Sequence, residues 1–306
     1  IMRKDQVAAN YLDLQANDHF IKAQKFYNEQ QWELCSYWFY RIVDHYAESP
    51  HIHESCFYLG MAQFHLGENA EANIYLSRYL KGESNPEHFR EALETKFTIA
   101  ERFRMGEKRR MYDSKKLPAW AGGEMMAIEI YDEITATIPC DELAIQSYYS
   151  KGRILFQIGM YNDAVSTLQT LIRRFPKNEL SIESYILIEE IFAEQCRIEQ
   201  QNTDILELAR INLKHFEQDF PKEERLAYAQ KLVCQIEETF ATSLFNIGQL
   251  YERKGDLGAA TIYYYQVLHQ FPTTYLARMS FDRIESIAPK ETVDKCFVYL
   301  NNSMKR

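Results

Sequence analysis

The feature that most constrains this chain is a pair of glycines that returns three times with the same surroundings. Residues 245 to 272 read FNIGQLYERKGDLGAATIYYYQVLHQFP, residues 148 to 176 read YYSKGRILFQIGMYNDAVSTLQTLIRRFP, and residues 56 to 80 read CFYLGMAQFHLGENAEANIYLSRYL. In register, Gly248 falls on Gly152 and Gly60, Gly255 on Gly159 and Gly67, and Ala260 on Ala164 and Ala72. Phe271-Pro272 falls on Phe175-Pro176. A glycine inside a helix costs about 1 kcal/mol relative to alanine, so a recurring one needs a packing reason. The pattern predicts two antiparallel helices, A and B, that cross closely. Gly248 on A and Ala260 on B let the backbones approach, Tyr251 and Tyr264 fill the space beside them, and Gly255 makes the turn.

The spacing of Leu244, Ile247, Gly248, Tyr251, Ala260, Tyr264 and Pro272 resembles the tetratricopeptide repeat. Weaker copies follow from it. The small helix-B residue recurs at Cys35, Ala72, Ala127, Ala164, Ala209 and Ala260, and Pro139, Pro176, Pro221 and Pro272 close four of these units. In the first two units Ser49-Pro50 and Asn85-Pro86 read as an N-cap and a first-turn proline of the next helix. Uneven spacing locates insertions at 105–124 between the helices of the third unit, around EQCRIEQQNTD in the fifth, and in a long helix A of the sixth. The expected fold is all-α, a right-handed superhelical solenoid of about six tetratricopeptide-like helix pairs plus a capping helix in TYLARMSFDRIESI, residues 274–287. Residues 1–289 form this one solenoid, and 290–306 form a tail or short helix through Val293, Phe297 and Leu300.

The formal charge of −9 does not suit a protein that coats nucleic acid or an anionic membrane. No stretch reaches the roughly 18 uncharged apolar residues of a membrane span. Cys35, Cys56, Cys140, Cys196, Cys234 and Cys296 show no metal-finger spacing and mostly occupy apolar stripe positions, as small buried hydrophobes do. His45, His51 and His53 read as solvated loop histidines rather than metal ligands. No phosphate-binding loop, GxSxG or HExxH is present. Glu189-Glu190 and Glu237-Glu238 are adjacent, so they point to different sides of a helix and read as solvated charges rather than an acid–base couple. The expectation is a protein that is not an enzyme, with no cofactor and no metal.

Binding features carry more. The insertion holds Lys108, Arg109, Arg110, Lys115 and Lys116, then Trp120 between Pro118 and Gly122-Gly123. It is either a solvated loop or a docking site for an acidic partner or a lipid headgroup. A second set lies on the helix-A face away from helix B. There stand Phe20 and Tyr27 in the first unit, Phe57, Met61 and Phe64 in the second, Tyr149, Arg153 and Phe156 in the fourth, and Phe245 in the sixth. These either line a peptide groove or pack against the next turn of the solenoid.

The string YNEQQWELCSYWFYRIVDHYAES, the inserted third unit and the terminal LYERKGDLGAATIYYYQVLHQFPTTYLARMSFDRI resemble the BamD-like lipoproteins of the bacterial outer-membrane β-barrel assembly machine. Repeat proteins that coordinate envelope constriction share the last ending. The resemblance spans roughly residues 17 to 288. It implies a periplasmic scaffold at the outer membrane, with a lipid anchor in a segment ahead of residue 1. Its implied partners are the barrel-inserting subunit or unfolded outer-membrane proteins. The alternative is a cytoplasmic repeat adaptor or chaperone.

Overall fold

The computed structural model describes residues 4–82, 86–109, 121–199, 202–289 and 293. Among these the chain forms thirteen α-helices and one short β ladder, and it divides into two compact units, residues 1–154 and 155–306. The first unit holds α1 (Lys4–Asn28), α2 (Trp32–His45), α3 (Ile52–His65), α4 (Asn69–Gly82), α5 (Phe89–Arg104) and α6 (Glu124–Thr137). The helix α7 (Glu142–Gln157) begins in it. The second unit holds α8 (Tyr161–Arg174), α9 (Glu179–Ile198), α10 (Asp204–Asp219), α11 (Leu226–Arg253), α12 (Leu257–Gln270) and α13 (Tyr275–Ile287). Sequence order gives six A–B pairs and a cap, as expected. The long sixth helix A is α11, 28 residues without a break.

The turn between A and B follows one design. Gly67, Gly159 and Gly255 have φ of +79°, +79° and +82°. In each case the next residue's N–H reaches back five residues, as in Glu68 to the Gln63 carbonyl (2.9 Å), Met160 to Leu155 (2.9 Å) and Asp256 to Tyr251 (3.1 Å). That closure satisfies the last carbonyls of helix A, and only a residue without a Cβ enters the left-handed region freely. Gly106 (φ +96°) ends α5 in the same way. Gln30 ends α1 so at φ +56°, a copy of the turn without its glycine.

The six small helix-B residues are all fully buried. The packing reason for the helix-A glycine is not quite the one the sequence suggested. A Cβ on Gly248 would stand 2.7 Å from a ring carbon of Tyr264, and one on Gly60 would stand 2.8 Å from Leu76 Cγ. The glycine therefore makes room for the large side chain one helical turn beyond the small residue, not for Ala260 or Ala72 itself. Tyr264 fits because it is fully buried there, with its hydroxyl donating to Glu252 at 2.7 Å.

Helix B ends in a second repeated form. Tyr46, Ile138, Phe175, Phe220 and Phe271 all have φ between −126° and −135° and ψ between 52° and 64°. Four of them precede a proline, which disfavours the α region for the residue before it. Tyr46 precedes Ala47, so the geometry stands without the proline. Pro50 and Pro86 correct an expectation: α3 and α5 begin only at Ile52 and Phe89, so both prolines lie in the preceding turns.

Cys35, Cys56 and Cys196 are buried as expected, and burial pushes the Cys35 thiol up to about 12. Cys140 and Cys234 are exposed instead, at a turn and on the outer side of α11. Among the described residues, no helix is long and apolar enough to cross a membrane. Phe297, Leu300 and Cys296 lie outside the described residues.

Candidate functional site

Most of the helix-A aromatic face is structural. Phe20 is buried, stacked on His51 at 4.7 Å and edge-on to Phe39 and Tyr58. Phe57 is 1% exposed and stacks on His88 at 4.2 Å, with Tyr79 on another side. Met61 is buried, and its sulfur accepts from the Thr95 hydroxyl of the next helix A at 3.5 Å. Phe245 is buried against Tyr264. Of the two readings of this face, packing applies to these four, because each ring or thioether fills the gap between neighbouring helices. They are corrected from groove to core.

The other aromatics, Tyr27, Phe64, Tyr149 and Phe156, are half-buried. Tyr27 sits edge-on to Trp32 and Tyr58, and Phe64 is covered by the Arg102 guanidinium 4.2 Å above its ring. Phe156 lies 6.0 Å from Tyr161. Arg153 is exposed, with its guanidinium 6.0 Å from the Tyr149 ring, and among the described residues it forms no ion pair.

The insertion is tied down at its base. After Gly106, β1 (Lys108–Arg109) pairs antiparallel with β2 (Ala121–Gly122), with Lys108 opposite Gly122. Arg102 donates to Asn69, which donates to Glu107, and Gly123 lies so close over the buried Phe103 ring that a Cβ would be 2.2 Å from it. On the inner side, Glu101 accepts from Arg104 at 2.6 Å and from the Tyr131 hydroxyl at 2.6 Å. Burial raises the Glu101 carboxyl, but the bonds from Arg104, Ser150 and Tyr131 outweigh it and hold the group below its usual range. Lys108 is exposed; Arg110, Lys115, Lys116 and Trp120, like the Arg109 side chain, lie outside the described residues.

Three further sites were misread or missed in sequence. Glu189 is not a solvated charge: it is fully buried, and burial pushes its carboxyl up to about 8. Its neighbour Glu190 accepts from Tyr228, while Glu237 pairs with Arg210 at 2.7 Å and Glu238 accepts from the Tyr275 N–H. His51 and His53 stack on Phe20 and Tyr79 instead of standing in water. Finally, a cleft of about 510 Å³ opens between α2 and α4. Tyr37, Tyr40 and Tyr75 wall it, and Ser36 and Gln63 form its floor. Four consecutive aromatics, Tyr37 to Tyr40 in the order Tyr-Trp-Phe-Tyr, were the available signal. One helix face buries only one of them fully, Phe39, and leaves Tyr37 and Tyr40 half in water.

Residues 146–178, most of the fourth pair, match one tetratricopeptide repeat family, and residues 241–270, in the sixth, match another. The chain carries tetratricopeptide repeats. The repeat is a scaffold for protein contacts, and the tetratricopeptide pairs here build such a scaffold. No curated protein sequence matches the chain. Among solved structures, a tetratricopeptide repeat protein from Parabacteroides merdae is 13% identical, over 93% of this chain and 98% of its own, with a TM-score of 0.37. The C-terminal part of a repeat protein from Cytophaga hutchinsonii is 13% identical over 89% of this chain and 92% of its own, with a TM-score of 0.38. MamA from Desulfovibrio magneticus is 16% identical over 64% and 95%, with a TM-score of 0.34.

Proposed function

We propose that this repeat protein is a non-enzymatic scaffold of outer-membrane protein assembly, similar in role to the BamD-like lipoproteins. In this reading it works on the periplasmic side of the outer membrane, held by a lipid anchor ahead of residue 1. It holds the barrel-inserting subunit or an unfolded barrel protein. The observation that supports the reading is the terminal repeat, LYERKGDLGAATIYYYQVLHQFPTTYLARMSFDRI, which forms the end of α11, the Gly255 turn, α12, its Phe271 end and most of α13. Arg153 supports it further, as an exposed cation beside an aromatic ring. A peptide ending in Tyr-x-Phe would offer a carboxylate for bidentate pairing with Arg153 and a ring for Tyr149.

Two measurements test this. The purified chain should co-elute with the purified barrel-inserting subunit of its own organism. A blocked peptide ending in Tyr-x-Phe with a free carboxylate should bind wild type, and binding should drop about tenfold or more in Arg153→Ala or when the peptide is amidated. No complex with the subunit, together with binding indifferent to Arg153, overturns the barrel-assembly role and leaves the repeat scaffold standing.

A further inference from the structure

The turn between α1 and α2 departs from the other closed turns in one residue. Gly67, Gly106, Gly159 and Gly255 carry no side chain at the left-handed position, whereas the first turn places Gln30 there at φ +56°. Glycine adopts that conformation at less cost, so the Gln30 side chain stands against a steric penalty. Its surroundings give it a use. With Tyr27, Asn28, Trp32 and His65 it lines a pocket of about 480 Å³. That size falls within the range of small-molecule sites, about 300–1,000 Å³. Asn28 and Gln30 are exposed, and among the described residues neither side-chain amide makes a hydrogen bond. Each amide offers two N–H donors and one carbonyl acceptor in a plane. The rings are held in place. Trp32 stacks on His65 at 4.1 Å with 12° between the planes, and Tyr27 meets Trp32 edge-on at 5.5 Å. Burial, then Glu91, raises the Tyr27 hydroxyl to about 12, so it keeps its proton.

Among the described residues, no lysine, arginine or carboxylate lines the pocket. Glu29 of the same turn is engaged by Lys25 (3.9 Å) and Gln31 (3.1 Å). An ion therefore meets no opposite charge here and gains nothing over water. A purely apolar ligand leaves both amides without partners. A peptide strand needs partners repeated along its length, and these five residues come from one turn and the end of α3 beside it. A pyranose unites what the walls ask for in a compact, rigid body. Its C–H faces suit ring surface, and its adjacent hydroxyls match the N–H and C=O of one planar amide.

We propose that this pocket binds one or two pyranose units of a neutral glycan, with the Asn28 and Gln30 amides on ring hydroxyls and the sugar's C–H surface against Trp32 and Tyr27. The site stands on the pocket alone and does not depend on the barrel-assembly reading. Arg153→Ala, which tests that reading, should leave sugar binding unchanged.

The probes are methyl β-cellobioside and methyl α-maltoside, titrated into the full chain and followed by saturation-transfer NMR, with melting temperatures measured alongside. At least one should bind saturably at millimolar concentration. Gln30→Gly and Asn28→Ala each remove an amide that carries two of the hydrogen bonds, and each should weaken binding about tenfold. Gln30→Gly should do so without lowering the melting temperature, because glycine relaxes the turn. Gln31→Ala removes an amide of the same turn that lies outside the lining, and it should leave binding as in wild type. Glycerol and a blocked trialanine peptide should not displace the bound glycoside at equal concentration. No saturable binding of either glycoside at tens of millimolar overturns the proposal, and so does wild-type affinity in both Gln30→Gly and Asn28→Ala. An equal loss in Gln31→Ala would move the binding off this pocket and overturn it too. Displacement by glycerol would reduce the site to unspecific contact with hydroxyls, and displacement by trialanine would assign it to peptide backbone; either result overturns the assignment to a sugar.

Discussion

Lys96 on α5 and Glu189 on α9 are both fully buried ionisable groups on a helix A, one in each compact unit, and their surroundings treat them in opposite ways. Lys96 is met by Asn73 and by Ser77 (2.5 Å) from α4, and by the Glu133 carboxylate (2.8 Å) from α6. Burial lowers its pKa, while Glu133 pulls the other way and keeps the ammonium supplied with a counter-charge. Glu189 has one donor, Asn212, at 2.7 Å, and its second oxygen has none among the described residues. Burial there wins over the single Asn212 bond and keeps a proton on the carboxyl. A buried site between helix pairs can thus hold an ion if several elements converge on it, and otherwise holds the neutral form.

The sharpest way to break this comparison is Glu133→Leu. It strips Lys96 of the one anion it meets among the described residues while the lysine stays buried, and the expected loss is about 3–5 kcal/mol by urea unfolding. Adding Lys96→Met to the same chain should recover most of that loss. A loss well under 1 kcal/mol in the single variant would mean that water, not Glu133, compensates the ammonium. A smaller effect separates the two sites by redundancy. Asn212→Leu removes the one donor to Glu189 and a bond to the Tyr185 carbonyl, so about 1–3 kcal/mol should go. Asn73→Ala leaves Lys96 with Ser77 and Glu133 and should cost about 1 kcal/mol. Equal losses would erase the distinction.

The pH dependence is gentler and has a definite sign. The folded chain keeps on Glu189 a proton that the unfolded chain releases at its ordinary value of 4.5. The stability this contributes is full below about pH 4.5, falls through the folded value of about 8, and changes no further above it. Within that window wild type should lose about 1.4 kcal/mol per pH unit relative to Glu189→Gln. Parallel stability curves for the two chains would show that Glu189 is ionised in the fold.

The smallest expected effect concerns the turn that lacks its glycine. Gln30→Gly should stabilise the first pair by about 0.5–1 kcal/mol, since it relieves a side chain held at positive φ. A lowered melting temperature would show that Gln30 makes a compensating contact.

The helix pairs were legible because their signals are local: a glycine at the turn, a small residue on helix B, an aromatic before proline. Gln30 escaped because the same turn was built from a residue that carries no signal for it. Glu189 escaped for a different reason. Adjacent carboxylates on a helix do point to different sides, but which side is buried depends on Asn212 and the helices around it, far away in sequence. The aromatic face of helix A was visible as a stripe, and its fate was not, because packing of Phe57 on His88 is a contact between pairs. The Gln63 floor was invisible for the same reason, since its partner Ser36 lies on a different pair.

The closure at Gly106 has a consequence for how such a chain acquires new surface. Helix α5 is finished, its last carbonyls satisfied, before Lys108 begins, and the ladder returns the chain at Gly122 beside its point of departure. The third turn therefore works as a splice port. Sequence of another length or chemistry can be exchanged between Arg109 and Ala121 with both ends delivered side by side, while the neighbouring helices keep their register. The same closure at Gly67, Gly159 and Gly255 makes each of those turns an address where a lineage, or a protein engineer, could open the repeat and hang a new recognition element on an unchanged frame.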